Sequence, residues 1–279
     1  MAHLLLIQCP DERGLIYKIT GVLYRHGLNI LRNSEFVERD GNVFFMRTEF
    51  ELTPGATAAA LLAELQAALP AAADIRLTDN RRKNIVLLVT KEHHCLSELL
   101  VRHAFGELNA TILGVISNHE VLGELTRKFD LPFHYLPHEG RSRETHEAEV
   151  LALLADYAPD YVVLAKYMRI LSPEFVAPYA NRLINIHHSF LPAFVGASPY
   201  AQAYERGVKI IGATAHFVNE QLDQGPIIAQ SVIPIDHTQS ARELAQAGRD
   251  VEKIVLARAL KLVLEEQVFV HRNKTIIFD

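Results

Sequence analysis

The sequence predicts an α/β protein with two domains, because the order of apolar and helical segments changes near residue 80. Up to that point the segments follow the order βαββαβ, which is the ferredoxin-like arrangement. Beyond it, short apolar runs alternate with amphipathic stretches, which is typical of a doubly wound, mostly parallel, Rossmann-like sheet. The polar segment DNRRKN lies between the two patterns and favours a linker. We therefore expect domains over residues 1–80 and 85–279, joined by a linker at 81–84.

Each element of the first domain has its own local signal. Apolar residues at helical spacing predict a helix within 14–27, and Gly27 is placed to stop it. Asp40-Gly41 lies between two β-rich runs and is a hairpin signal. The other predicted elements are a strand at 3–9, a helix at 57–69 and a strand at 74–79.

The second domain begins with a strand at 85–90 that is apolar nearly throughout, as expected of a strand covered on both faces. The alternation continues with a helix at 96–108, a strand at 111–118, a helix at 121–129, a short segment at 133–137, a helix at 145–157 and a strand at 161–166. Later strands are expected at 182–189, 210–218 and 227–235, followed by a long amphipathic helix at 243–267 and a last strand at 268–278.

The composition excludes several classes of protein. The chain has 279 residues, with 28 Lys and Arg against 33 Asp and Glu, and contains no basic block, which argues against nucleic-acid binding. No apolar run approaches the roughly 20 residues of a membrane span, and the N-terminus lacks a signal-peptide pattern. Cys9 and Cys95 are the two cysteines, too few for a disulfide framework. We expect a cytoplasmic protein that contacts neither membranes nor nucleic acid.

The segment INIHHSFLP at 184–192 is the first candidate site. Alternate residues of a strand share a face, so Asn185 and His187 are expected to point together and His188 to point away. Sites in open parallel sheets lie beyond the carboxyl ends of strands, which is where this pair occurs. The pattern alone leaves open that both residues are local hydrogen-bond partners. The histidines lack a metallohydrolase spacing, so no metal site is expected.

Asp223 is the second candidate, in the turn sequence Asp223-Gln224-Gly225-Pro226. In one interpretation its carboxylate merely holds this turn. In the other it lies beside His187 and forms an acid/base pair, in which the carboxylate favours the imidazolium form. The residues by themselves do not decide between the two.

Two separated segments resemble the folate-dependent formyltransferase family: 184–218, followed by LDQGPI at 222–227. That family uses an Asn-x-His pair and the Asp of a Leu-Asp-x-Gly-Pro segment, so the resemblance implies catalytic Asn185, His187 and Asp223. The segment LAKYMRILSPEFV at 164–176 resembles the lining of the family's folate pocket. The folate contacts implied are Met168, Arg169, Ile170, Leu171, Val218 and Leu222, with Arg169 pairing with the glutamyl tail. The resemblance runs from about residue 84 to the end of the chain.

Three features resemble the hydrolytic branch of the family, which deformylates folate. His188 follows the catalytic histidine, where the purine-pathway transferases carry proline. The turn in VTKEHHCLSELL at 89–100 is not glycine-rich. A transferase that binds glycinamide ribonucleotide needs glycines at this turn, because its backbone must approach the substrate phosphate closely. The N-terminal module, with CPDERGLIYKITGVLYRHGLNI at 9–30, is similar to an ACT domain.

The resemblance implies hydrolysis of 10-formyltetrahydrofolate to tetrahydrofolate and formate, which supplies one-carbon metabolism and purine synthesis. Asp223 is expected to be the base for water, and His187 and Asn185 are expected to stabilise the oxyanion. No cofactor is expected beyond the folate substrate. Formyl transfer to an amine such as glycinamide ribonucleotide is the alternative, and an inactive amino-acid-sensing protein is a third possibility.

Several residues keep two interpretations. His188 either packs behind its strand or reaches the mouth of the site, and His216 is either a neighbour of the catalytic trio or a buried structural histidine. Asp11, Gly14 and Asn29 occupy positions where ACT domains bind small amino acids, or they are ordinary turn residues. Exposed sheet edges of such modules pair between subunits, so we expect a homo-oligomer.

Overall fold

The computed structural model describes residues 2–52, 57–79, 81–193 and 199–279. The chain divides into two compact units. The first comprises the residues up to Arg81 together with Ile277–Asp279, and the second comprises Arg82–Ile276. The last three residues therefore group with the first unit, whereas the predicted boundaries place them in the second domain.

The first unit has the predicted βαββαβ order. Its elements are β1 (Ala2–Pro10), α1 (Leu15–Arg25), β2 (Asn29–Glu38), β3 (Val43–Glu51), α2 (Ala58–Ala68) and β4 (Asp74–Thr78). The four strands form an antiparallel sheet in the order β2-β3-β1-β4. Alternate residues of β1, namely Leu5, Ile7 and Cys9, share a buried cluster with Ile19 of α1 and Leu61 of α2. One face of the sheet is thus covered by both helices.

The second unit is built on a seven-stranded sheet. Its elements are β5 (Lys83–Val89), α3 (His94–Ala104), β6 (Ala110–Ser117), α4 (Gly123–Arg127), β7 (Phe133–Tyr135), α5 (Arg143–Tyr157), β8 (Tyr161–Leu164), α6 (Pro173–Val176), β9 (Leu183–His187), α7 (Pro199–Arg206), β10 (Ile210–Phe217), β11 (Ile227–Pro234), α8 (Ala241–Leu264), β12 (Val268–His271) and β13 (Lys274–Ile277). The sheet order is β11-β10-β9-β8-β5-β6-β7. Strands β5 to β9 pair in parallel, and β10 and β11 are antiparallel. The predicted mostly parallel fold is confirmed.

Strand β5 shows why its sequence is apolar throughout. Ile85, Leu87 and Val89 belong to one core cluster, and Val86 and Leu88 belong to another. Alternate side chains therefore enter separate cores on the two faces of the sheet, as a doubly wound fold requires.

Several element boundaries differ from the predictions. The helix expected at 121–129 is a 3₁₀ turn, Glu120–Leu122, followed by the short α4. The strand expected at 268–278 is the hairpin β12–β13, in which Arg272 has a φ of 54°. Short helices α6 and α7 were not predicted. Among the described residues, no helix combines the length and hydropathy of a transmembrane segment.

Candidate active site

Strands β9 and β10 place four polar side chains on one face of the sheet. In their antiparallel register, Asn185 lies opposite His216, and His187 lies opposite Thr214. Because residues two apart share a face, all four side chains point the same way. His187 is 5% exposed and lies at the carboxyl end of β9. His216 therefore belongs to the cluster around the predicted Asn-x-His pair.

The loop after β10 brings Asp223 to this cluster. Its Oδ1 lies 3.3 Å from His187 Nδ1 and 3.8 Å from His216 Nε2. Asp223 has a φ of 56°, in the left-handed region. A Cβ on Gly225 would lie 1.8 Å from the carbonyl oxygen of Phe217, so the loop folds against β10 only with glycine there. The Asp223 carboxylate therefore lies beside His187, as the acid/base interpretation expects, and makes no side-chain hydrogen bond to its own turn among the described residues.

His216 orients the amide of Asn185. The His216 Nδ1–H donates to the carbonyl oxygen of Phe217 over 2.8 Å, which leaves Nε2 as an acceptor for Asn185 Nδ2, 3.2 Å away. Burial lowers the pKa of His216 and keeps the ring neutral, although the Phe217 bond and Asp223 oppose this shift. The second N–H of Asn185 remains available for another acceptor.

Asp223 is held as a carboxylate. Burial alone would raise its pKa, but the hydrogen bond and charge of His187, with smaller effects of His216 and His188, hold the pKa below its usual value. Asp223 Oδ2 makes no hydrogen bond or ion pair within the described parts of the chain. His187 Nε2 is likewise buried without a hydrogen-bond partner there. A carboxylate oxygen and an imidazole nitrogen are therefore available for a substrate and its nucleophile.

His188 does not point away from His187, contrary to the expectation from strand alternation. The two ring centroids lie 5.0 Å apart, with the ring planes tilted by 35°. Strand β9 ends at His187, so the alternation no longer applies to the next residue. His188 is thus a neighbour of the candidate trio.

The predicted folate segment follows β8 at the same edge of the sheet. Met168 and Ile170 are 54% and 61% exposed, and Leu222, beyond β10, is 52% exposed. Leu171 and Val218 are half-buried and pack on the core beneath. Large exposed apolar side chains beside the polar groups of the candidate site can contact a flat aromatic ligand.

Two anchors fix this segment. The Met168 N–H donates to Thr90 Oγ1 over 3.0 Å, and the Ser172 N–H donates to Glu147 Oε1 over 3.1 Å. Arg169 lies between them and forms no ion pair with any described residue. Its guanidinium is thus available to an anionic ligand.

A buried charge network next to the site was not predicted. Glu252 of α8 is fully buried and accepts hydrogen bonds from Tyr200 Oη over 2.6 Å and His94 Nε2 over 2.8 Å, with Lys166 Nζ 3.2 Å away. Donor atoms of His94, Cys95 and Glu252 lie close enough to hold a metal, but Lys166 already supplies the cation that pairs with Glu252. In sequence, Glu252 resembles an ordinary polar position of an amphipathic helix, so only its spatial partners identify it.

Burial by itself would raise the pKa of Glu252, but the bond from His94, the charge of Lys166 and the bond from Tyr200 lower it to about 2. The network is tight: a Cβ on Gly248, one turn earlier in α8, would lie 2.1 Å from the Tyr200 ring. Glu252 is therefore ionised at neutral pH, and its carboxylate contacts Lys166 at the end of β8, His94 of α3 and Tyr200 of α7.

In the first unit, Asp11 and Gly14 line a cavity of about 320 Å³. Gly14 has a φ of 85° and immediately precedes α1. Glu12 and Glu35 add two more carboxylates to the lining of this cavity. Asn29 is not among the described residues that line it. Of the three predicted effector residues, two thus share a cavity and Asn29, at the start of β2, does not.

Comparisons with known proteins agree with this division of the chain. Residues 83–260 match the family model described as formyl transferase, and residues 3–67 match that of the ACT domain. The chain is 55% identical to the formyltetrahydrofolate deformylase of Haemophilus influenzae over 98% of both chains. The crystal structure of a formyltetrahydrofolate deformylase from Pseudomonas syringae has a TM-score of 0.95 at 42% identity, covering 100% of this chain and 94% of that one.

A more distant structure matches a smaller share of the chain. Glycinamide ribonucleotide transformylase 1 from Symbiobacterium toebii has a TM-score of 0.69 at 28% identity and covers 74% of this chain and 98% of its own. The similarity to the deformylases, in contrast, extends through both units. The chain therefore belongs to the formyltetrahydrofolate deformylase family, with an ACT domain ahead of a formyl transferase domain.

Proposed function

We propose that this protein hydrolyses 10-formyltetrahydrofolate to tetrahydrofolate and formate. The observation that carries the proposal is the convergence of Asn185, His187 and Asp223, with a 3.3 Å contact between the last two. The names of the relatives that match over the full chain support the same reaction. The formate supplies one-carbon metabolism and purine synthesis, and the chemistry needs no cofactor beyond the folate substrate.

The formyl oxygen binds between His187 and Asn185. His187 Nε2, buried and unpartnered within the described chain, donates to it when the ring is protonated, while Nδ1–H donates to Asp223. The free N–H of Asn185 is the second donor, aimed by the neutral ring of His216. A buried polar group without a partner costs about 1–3 kcal/mol, which the bound carbonyl recovers.

Water then attacks the formyl carbon. Its oxygen forms the new C–O bond while Asp223 Oδ2 takes a proton, and the carbonyl oxygen becomes an oxyanion held by His187 and Asn185. When the tetrahedral intermediate collapses, the C–N10 bond breaks and N10 receives the proton that Asp223 carries. Formic acid and tetrahydrofolate leave, the acid loses its remaining proton to solvent to give formate, and the carboxylate of Asp223 is regenerated.

The neighbouring histidines hold the pKa of Asp223 below its usual value in spite of burial. The carboxylate is ionised throughout the neutral range, but it is a weak base towards free water. Proton transfer is therefore expected to accompany attack, when the water oxygen becomes acidic. Hydrolysis depends on the base form and is lost as the pH falls through this depressed pKa.

The apolar residues at the sheet edge bind the folate rings. Met168 and Ile170 contact one side of the pterin, and Leu222 contacts the other, with Val218 and Leu171 completing the pocket. Arg169 pairs with a carboxylate of the glutamyl tail, since it has no ion-pair partner in the described chain.

The deciding experiment is formate release from 10-formyltetrahydrofolate with no amine present. Turnover supports hydrolysis. A reaction that proceeds only after an amine is added would instead favour a transferase. Glycinamide ribonucleotide is the first amine to test. A wild-type protein that binds folate and an amino acid without turnover would favour a sensing role, although the intact catalytic trio argues against it.

The ACT unit is proposed to bind a small amino acid. In its cavity, the carboxylates of Asp11, Glu12 and Glu35 suit an ammonium group, and the first amides of α1 suit a carboxylate. Repeating the formate assay with a panel of amino acids tests this, and a panel without effect on rate or melting temperature would argue against an effector.

We also propose a homo-oligomer formed through the ACT unit, because Tyr17 and Tyr24 on α1 are 82% and 83% exposed and β2 is an edge strand. Light scattering of the intact chain and of Tyr24→Glu measures the oligomeric state directly.

The protein is further proposed to act in the cytoplasm, where its free, buried Cys9 and Cys95 stay reduced.

A further inference from the structure

His188 stands beside both groups that the proposed reaction uses. Its ring centroid is 5.0 Å from that of His187, and Asp223 is near enough for each charge to affect the other group. The backbone that carries His188 is fixed, since Thr214 Oγ1 donates to the carbonyl oxygen of Ser189 over 2.9 Å and accepts the N–H of Leu191 over 3.1 Å. His188 therefore has a defined place at the edge of the cluster.

The ring nitrogens of His188 have no hydrogen-bond partner among the described residues. Its contacts are with the rings of His187 and Tyr200, the latter 6.2 Å away between centroids. A neutral imidazole has one donor and one acceptor nitrogen, and half-buried polar groups of this kind are normally satisfied by water or ligand. The acceptor nitrogen of His188 is thus unused, although its ring lies next to that of His187, the proposed donor to the oxyanion. This feature requires an explanation.

Burial, more than any neighbouring charge, determines the charge of the His188 ring. Burial, then the cation of Lys166 and then His187 lower the pKa of His188 to about 4, while Glu252 and Asp223 oppose the shift. Tyr200 is neutral, because burial and the adjacent Glu252 raise the pKa of its phenol. His188 is thus an uncharged imidazole at neutral pH, with its acceptor lone pair available.

We propose that His188 is a further catalytic residue, whose neutral ring accepts a hydrogen bond from the attacking water and holds that water against the formyl carbon. The inference rests on the proposed hydrolysis. Asp223 takes one proton of the water, and His188 accepts a hydrogen bond from the other without gaining or losing a proton. The new C–O bond, the broken C–N10 bond and the proton delivered to N10 are unchanged.

A competing nucleophile separates this role from a structural one. Hydroxylamine attacks the same formyl carbon, displaces N10 and yields formohydroxamate, and it depends less on a group that positions water because it is the stronger nucleophile. The experiment measures formate and formohydroxamate from 10-formyltetrahydrofolate with the wild type, His188→Ala and a matched control. The control, His103→Ala, removes a histidine near the last turn of α3, at the opposite edge of the sheet.

We expect His188→Ala to reduce formate turnover by about 10- to 100-fold. This loss is smaller than that expected on removing a general base, because Asp223 remains to take the proton. The KM for the folate and the rate of formohydroxamate formation should stay within about threefold of wild type. His188→Gln, which keeps an acceptor, should recover part of the hydrolysis. His103→Ala should leave both products unchanged.

Two results would overturn the inference: equal losses of both products in His188→Ala, or undiminished formate release. If the alanine variant does not fold, His188→Gln and His188→Phe give the same comparison, since Phe keeps the ring and removes the acceptor. A wild-type protein that releases no formate would reject the proposed function and this inference together, whereas a hydrolytic wild type with an active His188→Phe rejects the inference alone.

Discussion

At the scale of single residues, the site depends on which nitrogen of each histidine is free. His216 uses Nδ1 on the backbone and presents a lone pair to Asn185, while His187 uses Nδ1 on Asp223 and leaves Nε2 for substrate. Asn185, His187 and Asp223 thus each keep a polar atom without a partner among the described residues, and these atoms belong to the same cluster. Substitutions that keep size but change one such atom should alter turnover more than folding.

Asp223→Asn removes the base and keeps the shape of the side chain. We expect turnover to fall by about 10²–10⁴ because the attacking water loses its proton acceptor. Tetrahydrofolate binding, measured by equilibrium titration, should stay within about threefold. Asp156→Asn, on the exposed side of α5, is the control. An unchanged turnover number would remove Asp223 from the mechanism.

Arg169→Ala should act on binding instead. Losing charged hydrogen bonds to the glutamyl tail costs about 1.5–3 kcal/mol, equivalent to a KM increase of roughly 10- to 100-fold, with turnover within about twofold. Arg242→Ala, at an exposed position early in α8, is the matched control for steady-state kinetics. A collapse in turnover at unaltered KM would contradict the tail contact.

At the scale of elements, two tight junctions hold the catalytic edge. The Asp223 loop folds against the end of β10 through Gly225, where the Phe217 N–H also donates to the carbonyl oxygen of Pro226. The Leu191–Pro192 peptide is cis, and Gln230 of β11 donates to the Leu191 carbonyl oxygen. The loops carrying Asp223 and His188 are both anchored to β10 or β11.

Gly225→Ala tests the first junction. The added Cβ would lie 1.8 Å from a backbone oxygen, so the loop must move by more than 1 Å and displace the carboxylate from His187. A displacement of this size is expected to cost about 10²-fold in turnover, with a lower melting temperature. Gly21→Ala, in the middle of α1, has no neighbour within 3.4 Å of the new Cβ and should leave turnover unchanged. Wild-type kinetics for Gly225→Ala would show that this loop geometry is dispensable.

At the scale of the whole molecule, the site and its network bury groups that would otherwise take up protons. His188 is protonated below about pH 6.5 when unfolded, but its folded pKa is about 4, so the unfolded state binds more protons between these values. Glu252, with a folded pKa of about 2, extends the same tendency below pH 4.5. Glu252 therefore stabilises the fold near neutral pH and loses that contribution in acid, whereas buried neutral His188 makes the fold progressively less stable as the pH falls below 6.5.

The prediction is a free energy of unfolding that falls on the order of 3 kcal/mol between pH 6.5 and 4 on account of His188 alone. Denaturant titrations across this range measure it. His188→Gln, which cannot titrate, should show a shallower decline with pH. Parallel curves for the two proteins would mean that His188 is not neutral in the folded state.

The sequence by itself determined most of the helices and strands, and it placed two residues of the trio on one face. Strand β5 is apolar throughout because both of its faces are buried, whereas alternate residues of β1 enter one core cluster. Such patterns depend only on consecutive residues, so they can be read from the sequence. The Asn-x-His spacing placed Asn185 and His187 on one face for the same reason. The motif around Asp223 predicted a catalytic role through resemblance to a known family, and that role stays a prediction.

Only the tertiary structure showed which partners His216, His188 and Glu252 meet. These contacts depend on the β9–β10 register, on the residue at which β9 ends, and on the contact between Lys166 and Glu252, 86 positions later in the chain. The grouping of residues 277–279 with the first unit is of the same kind. Local patterns record which way a side chain faces, whereas the partner it meets depends on packing between segments that are distant in sequence.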